Sequence, residues 1–407
     1  MKNKLKALLN DSVWSIAGLV LMNVAAQFLV YPFWNKTFGS EKYGEIIYLL
    51  SLMNIVSNTL GGACNYARIT LSAKGNTRNA DYLTLLKAST AVTALFSAVV
   101  CILNPDSLSA ADSVCYILLS CLTLWRIYSD IEYRLNLNYK GYFLYYFVIG
   151  TGYTAGMLLM YVFRIWALAL IPGELLGILL VRIKGSVLKK DGEISREKLS
   201  EPMKLFLLLS GSYFINYLIF NSDRILIKHT IGSAAVSIFY LSSLLGKTMS
   251  LITTPFNGVI SGYLARFKGE LRVRLMNGVA VISILAAVAA AGVCTVGSYI
   301  IIPILYPDDF AAAKDGFFIC NLAQTFYFVS NIVSVVILRF SKSKFQVYMN
   351  AVYAAAFIAV CVPLSIAYQL DGFYAGLLIT SLARFLFGIG VGYYTAFSSR
   401  KNTIEGE

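Results

Sequence analysis

Charge is what this sequence has least of: Lys, Arg, Asp and Glu together make up 14% of its 407 residues. A water-soluble globule of that size needs more polar surface to cover its core, so a soluble fold is excluded. Histidine is scarcer still, with His229 alone, and general acid–base chemistry is thinly supplied. The seven cysteines, at 64, 101, 115, 121, 294, 320 and 361, sit mostly in apolar runs without a CxxC or Cys/His pattern. Neither a disulfide scaffold nor a metal site is indicated, and they read as small apolar residues with weak thiol donors.

What the sequence has is hydrocarbon: 58% of residues are hydrophobic. The stretch "VISILAAVAAAGVCTVGSYIII", residues 281–302, carries no charge, and at about 1.5 Å per helical residue it covers the roughly 30 Å core of a bilayer. The N-terminal "MKNKLKALLN" precedes an apolar stretch, Val13 to Trp34, that is too long for a signal peptide and has no convincing cleavage site. It reads as the first membrane helix. Apolar stretches separated by polar breaks predict an all-α polytopic membrane protein of about twelve spans, near 12–33, 44–64, 82–103, 111–127, 142–161, 165–183, 204–229, 234–256, 276–302, 314–338, 346–367 and 373–396.

Lys and Arg in the loops on the side of both termini outnumber those on the other side roughly four to one, which predicts cytoplasmic termini. Lys87, Lys247 and Arg384 fall inside helices. The net charge of +13 is thereby accounted for by topology, and a nucleic-acid partner is the weaker reading. The longest inter-helix loop predicts a division into an N-terminal six-helix lobe, 1–183, a cytoplasmic linker, 184–203, and a C-terminal six-helix lobe, 204–407. An internal match supports it: at an offset of 193, Gly18, Asn23, Thr37, Gly39 and Ser40 meet Gly211, Asn216, Thr230, Gly232 and Ser233. Repeats of six helices are parallel repeats, an arrangement that places a transport site between halves.

Each ionised group inside a membrane costs about 2.5 to 3.5 kcal/mol on insertion scales and needs a reason. Lys247 shares a helical face with Tyr240, Ser243, Ser250 and Thr254; Tyr48, Ser51 and Asn58 form a similar stripe on helix 2. Helix 1 offers Asn23, Gln27 and Tyr31, and helix 7 offers Asn216, Asp223 and Arg224. Such faces turn towards one another or towards water, because lipid cannot satisfy them; interhelical hydrogen bonding is the bland alternative. Arg384 has few polar neighbours on its own helix, leaving a structural partner and a cavity role open. Glu174 follows Pro172 and Gly173, which can kink or unwind a helix, so it reads as a structural group or as a proton carrier. Asp223 and Arg224 lie far along helix 7, where an interfacial anchor or gate is favoured over substrate contact.

The segments "NKTFGSEKYGEIIYLLSLMNIVSNTLGGACNYARI" (35–69), "NSDRILIKHTIGSAAVSIFYLSSLL" (221–245) and "IIPILYPDDFAAA" (301–313) resemble polysaccharide flippases related to the O-antigen and capsule (Wzx-type) transporters of the multidrug/oligosaccharidyl-lipid/polysaccharide (MOP) exporter superfamily. The resembling elements are Gly39, Tyr43 and Gly44, and Asp223, Arg224 and Gly232. The sequence departs from the pattern in having no charged residue at the end of helix 1, where some relatives carry arginine. The resemblance implies a non-enzymatic flippase of the bacterial cytoplasmic (inner) membrane. Its cargo would be an isoprenoid-diphosphate-linked oligosaccharide, moved by alternating access for surface polysaccharide synthesis.

Under that reading Lys247, Arg224 and Arg384 supply cations for a diphosphate, and Asn23, Gln27, Tyr48, Asn58, Asn216, Tyr240 and Ser243 supply polar partners for sugars. Asp223 and Glu174 are the nominated gate or ion-coupling groups, a proton or sodium ion being the coupling species. No cofactor is expected. Partners would be membrane lipids and the polymerase and glycosyltransferases of the same pathway. A multidrug/cation antiporter of the same superfamily would want acidic cavity residues, and a polysaccharide polymerase would want a large outer loop with catalytic groups.

Overall fold

The structure, a computed structural model, describes residues 2–72, 78–191, 196–251, 253, 257, 260, 264, 271–341 and 344–404. All regular structure among them is helical. Thr254, expected on the Lys247 stripe, lies outside the described residues. The chain divides into two compact units, Met1–Ile225 and Leu226–Glu407. The linker expected at 184–203 lies ahead of that division.

The N-terminal unit contains α1 (Lys2–Val24), α2 (Tyr31–Phe38), α3 (Ser40–Ser72), α4 (Asn79–Leu103), α5 (Ala110–Ser129), α6 (Ile131–Leu135), α7 (Tyr139–Phe163), α8 (Ile171–Lys184) and most of α9 (Arg196–Thr230). Helix α1 packs on α7, α3 on α4 and α5, and α8 on both α5 and α7. The C-terminal unit takes the end of α9 and then α10 (Ser233–Thr248), α11 (Val273–Leu305), α12 (Pro307–Ala313), α13 (Phe317–Phe340), α14 (Lys344–Ala356) and α15 (Val362–Ile404). Here α13 is central, against α10, α11 and α15, over a core that includes Met276, Val333, Ile337, Met349 and Phe385.

Two π-helical segments, Ala25–Val30 and Phe357–Cys361, each end two residues before a proline, Pro32 and Pro363. A proline ring cannot accept the carbonyl one turn behind it and has no N–H to give it; widening that turn relieves the clash without breaking the helix. Helix 1 therefore runs on through α2 beyond its expected end.

Among the described residues nine helical stretches are long and apolar enough to cross a membrane. The number differs from the twelve expected because α8 has 14 residues and α10 has 16, and because Tyr348–Ser398 counts as one stretch of 51 residues. At about 1.5 Å per residue that last stretch far exceeds a bilayer. It is interrupted at Tyr368 and at Gln369, whose φ of 55° is left-handed. Burial is the inverse of a soluble protein's. Ile102, Leu208, Val293 and Ile304 are exposed, while Ser51, Ser120, Ser298 and Asn321 are wholly buried, as lipid outside and polar contacts inside require.

The turn before α3 is built again before α10. Gly39 has φ 82° and Gly232 φ 131°, each followed by a serine that opens a helix. Each glycine's N–H closes the preceding helix, onto the carbonyls of Asn35 and Ile227 respectively. A left-handed residue at this point stops one helix and redirects the chain, and glycine adopts it without steric cost.

Candidate functional site

In the N-terminal unit the site begins with a backbone contact. A Cβ on Gly152 would lie 2.4 Å from Gly173 Cα, and one on Gly156 2.4 Å from the Ala169 carbonyl oxygen. Glycines four apart let two helices touch backbone to backbone, and this contact presses the start of α8 onto α7. Glu174, in the first turn of α8, is thereby set between α5 and α7. Its Oε2 accepts from Arg126 Nε at 2.9 Å and its Oε1 from the Tyr153 hydroxyl at 2.7 Å. The helix N-terminus favours a carboxylate there as well. The kink expected at Pro172 and Gly173 is absent: a 3₁₀ turn, Trp166–Ala169, precedes α8, and Pro172 sits in the first turn of a helix that is starting, where it sacrifices no hydrogen bond.

One turn along from Arg126, Asp130 collects a second set of donors: Asn65 Nδ2 at 2.6 Å, Arg134 Nη2 at 2.9 Å and the Tyr146 hydroxyl at 2.9 Å. Sequence reasoning missed this cluster, because Arg126 stands at the end of the expected span 111–127 and Arg134 in the connection after it. The signal was their spacing. Arg126, Asp130 and Arg134 recur every fourth residue, which puts them on one helical face.

Arg224 sends its guanidinium across to α3, where Nη1 donates to Ser51 Oγ at 3.2 Å. It thus meets the polar stripe that also carries Tyr48, itself buried. Asp223 Oδ1 accepts the backbone N–H of Arg224 at 2.8 Å, so the contact between these neighbours runs through the main chain. Asn23 and Asn58 turn back on their own helices, donating to the Leu19 carbonyl at 2.8 Å and to the Asn54 carbonyl at 2.9 Å. Gln27 lies in the first π segment and Asn216 is exposed on α9.

In the C-terminal unit Lys247 occupies the last turn of α10, the end of a helix dipole that favours a cation. It is buried, with Nζ 5.8 Å from the centre of the Phe239 ring. Tyr240 and Ser243 are buried on the same helix, and the Ser243 hydroxyl donates to the Phe239 carbonyl at 2.9 Å. Beside Lys247, Asn321 joins three helices: its Oδ1 accepts the Gly246 N–H at 2.8 Å, and its Nδ2 donates to Ser298 at 3.2 Å. Arg384 lies apart from these residues in the contacts it makes. It donates to Asn331 at 2.8 Å, to Asn350 at 3.1 Å and to the Tyr327 carbonyl at 3.3 Å.

The two interiors differ in sign. Among the described residues the N-terminal unit buries Asp81, Asp130, Glu132, Glu174 and Asp223 with Arg68, whereas the C-terminal unit buries Lys247 and Arg384 and no carboxylate.

No family model and no curated protein matches the sequence. Among solved structures the chain is similar to the lipid II flippase MurJ in an inward closed conformation, with a TM-score of 0.71 at 14% identity over 95% of this chain and 90% of that one. It is also similar to a multidrug resistance MATE family transporter of the MOP superfamily, both inward-facing (TM-score 0.68, 11% identity, 95% and 99% covered) and outward-facing (0.61, 12%, 97% and 96%). At such identities the likeness is one of architecture: this chain is a multi-pass, all-helical membrane protein that shares its fold with MurJ and with transporters of the MOP superfamily.

Proposed function

We propose that the protein is a flippase that carries an isoprenoid-diphosphate-linked oligosaccharide from the cytoplasmic to the outer leaflet by alternating access, for O-antigen or capsule synthesis. The observation that carries this reading is the sign of the C-terminal interior, where Lys247 is buried and, among the described residues, no carboxylate is buried. A buried cation in low dielectric favours an anion beside it, and a diphosphate is an anion that a lipid carrier brings into the membrane. Lys247 is the group assigned to it in the C-terminal unit, and Arg224, at the α3 stripe, is the cation nominated in the N-terminal unit. Hydrogen bonds to charged groups contribute about 1.5–3 kcal/mol each, enough to select an anionic headgroup. Tyr48 in the N-terminal unit and Tyr240 in the C-terminal unit supply aromatic hydroxyls of the kind sugars use. A drug or cation antiporter would want acidic cavity groups; of the carboxylates buried in the N-terminal unit, Glu174 is held by Arg126 and Asp130 by Arg134.

The topology that fits is twelve spans in two six-helix halves with both termini in the cytoplasm of a bacterial inner membrane, and the twice-built glycine turn supports such a repeat. Glycosyltransferases and a polymerase of the same pathway would act before and after it.

Lys247→Gln tests the reading. Transport of the lipid-linked glycan should fall to background while the variant inserts and folds normally; full surface polysaccharide in that strain would remove Lys247 from the site. Deletion of the whole protein should strand the glycan on the cytoplasmic leaflet. Short unpolymerised repeats on the outer surface instead would point to a polymerase.

A further inference from the structure

Arg384 is 5% exposed, and its surroundings are built to a plan. Helix α13 presents Tyr327 and Asn331, one turn apart, and α14 presents Asn350 and Tyr353, likewise one turn apart. Each helix thereby gives one amide oxygen and one ring. Both oxygens accept from the same nitrogen, Nη2, at 2.8 and 3.1 Å, and the Tyr327 carbonyl accepts from Nη1 at 3.3 Å. The guanidinium carbon lies 4.4 Å from the Tyr327 ring centre and 5.7 Å from that of Tyr353, and the two rings stand 5.1 Å apart. Nε, buried, has no hydrogen-bond partner. Among the described residues every contacting group is a neutral oxygen or an aromatic face, and no carboxylate contacts the guanidinium. Neutral oxygens and ring faces stabilise a positive charge without neutralising it.

We infer that this cage is a monovalent-cation site which the chain fills with its own guanidinium, so that Arg384 clamps α13, α14 and α15 together as a permanently bound cation. The inference is independent of the transport reading: it concerns what holds the C-terminal helices together, whatever the cargo. It also separates Arg384 from Lys247, since a guanidinium already engaged on two sides has little left to offer a substrate.

A cage emptied of its cation should accept another. Arg384→Ala in purified, detergent-solubilised protein should melt roughly 5–10 °C below the wild type, as expected when a buried charged group loses its place. Millimolar methylguanidinium should recover at least half of that shift, methylurea of the same shape but no charge should recover little, and neither should move the wild type. Equal recovery by methylurea, or recovery by neither, would overturn the inference, because the cage would then be reading shape or nothing. If the alanine variant does not fold, Arg384→Lys and Arg384→Met decide the matter. Lysine should melt well above methionine, and equal melting would show that charge is not what the cage requires.

Discussion

Replacing Glu174 by glutamine removes one charge from a pair whose geometry is fully specified. The carboxylate holds Arg126 Nε at 2.9 Å and the Tyr153 hydroxyl at 2.7 Å, with side chains 3% and 13% exposed on the acid and the base. In Glu174→Gln one amide oxygen can still serve one donor, but the NH₂ group faces a second donor, and Arg126 keeps its charge without a counter-ion. Breaking a buried pair by removing one partner typically costs about 3–5 kcal/mol. At about 2–4 °C per kcal/mol for a unit of this size, the melting temperature should fall by roughly 6–20 °C. Arg126→Met should cost a similar amount. The double variant should recover much of the loss, since an apolar replacement on one side and a neutral amide on the other leave no orphan charge. The assay is thermal unfolding of the four proteins in one detergent, closed as a double-mutant cycle. Glu174→Gln melting within a degree or two of the wild type would refute the reasoning and return Glu174 to candidacy as a group that binds and releases protons during transport.

Gly156→Ala should be poorly tolerated, costing on the order of 1–3 kcal/mol by overpacking, because its Cβ would meet the Ala169 carbonyl at 2.4 Å; Gly390→Ala, with open space around the same position, should be silent in the same unfolding assay. Arg224→Gln should lower flipping about tenfold, the equivalent of one lost charge-assisted hydrogen bond, without lowering the melting temperature as Glu174→Gln does; unchanged flipping in reconstituted vesicles would exclude Arg224 from the cargo path. Gly39→Ala and Gly232→Ala should each destabilise by roughly 1 kcal/mol, since a Cβ is disfavoured at positive φ, and unequal effects by more than that would argue that the two turns are not equivalent.

Much of the helix order was legible, because spans of apolar residues are decided by the bilayer and not by tertiary detail. The break between the last two helices was visible for the same reason: Asp371 and Gly372 interrupt an otherwise apolar stretch. Lys247 was legible as a buried cation by counting alone. The partners were not. Glu174 and Arg126 are far apart in sequence and meet where Gly152, Gly156 and Gly173 let two backbones touch; the four-residue spacing of Gly152 and Gly156 marks a helix face but not the helix that meets it. Asp130 was hidden by its position at the end of a hydrophobic run, where depth in the membrane cannot be read to within a turn. The π segments escaped notice because a proline near a helix end reads as a boundary, whereas here the preceding turn widens and the helix continues.

The charge asymmetry between the two interiors has a bearing on energy coupling. Among the described residues the C-terminal unit has no buried carboxylate, so the formal charge buried there is of one sign. The carboxylates buried among the described residues lie in the N-terminal unit, at Asp130, Glu174 and Asp223 among others. Under the proposed function, the acids nominated for ion coupling, Glu174 and Asp223, and the cation nominated for the cargo, Lys247, thus belong to different units of the chain.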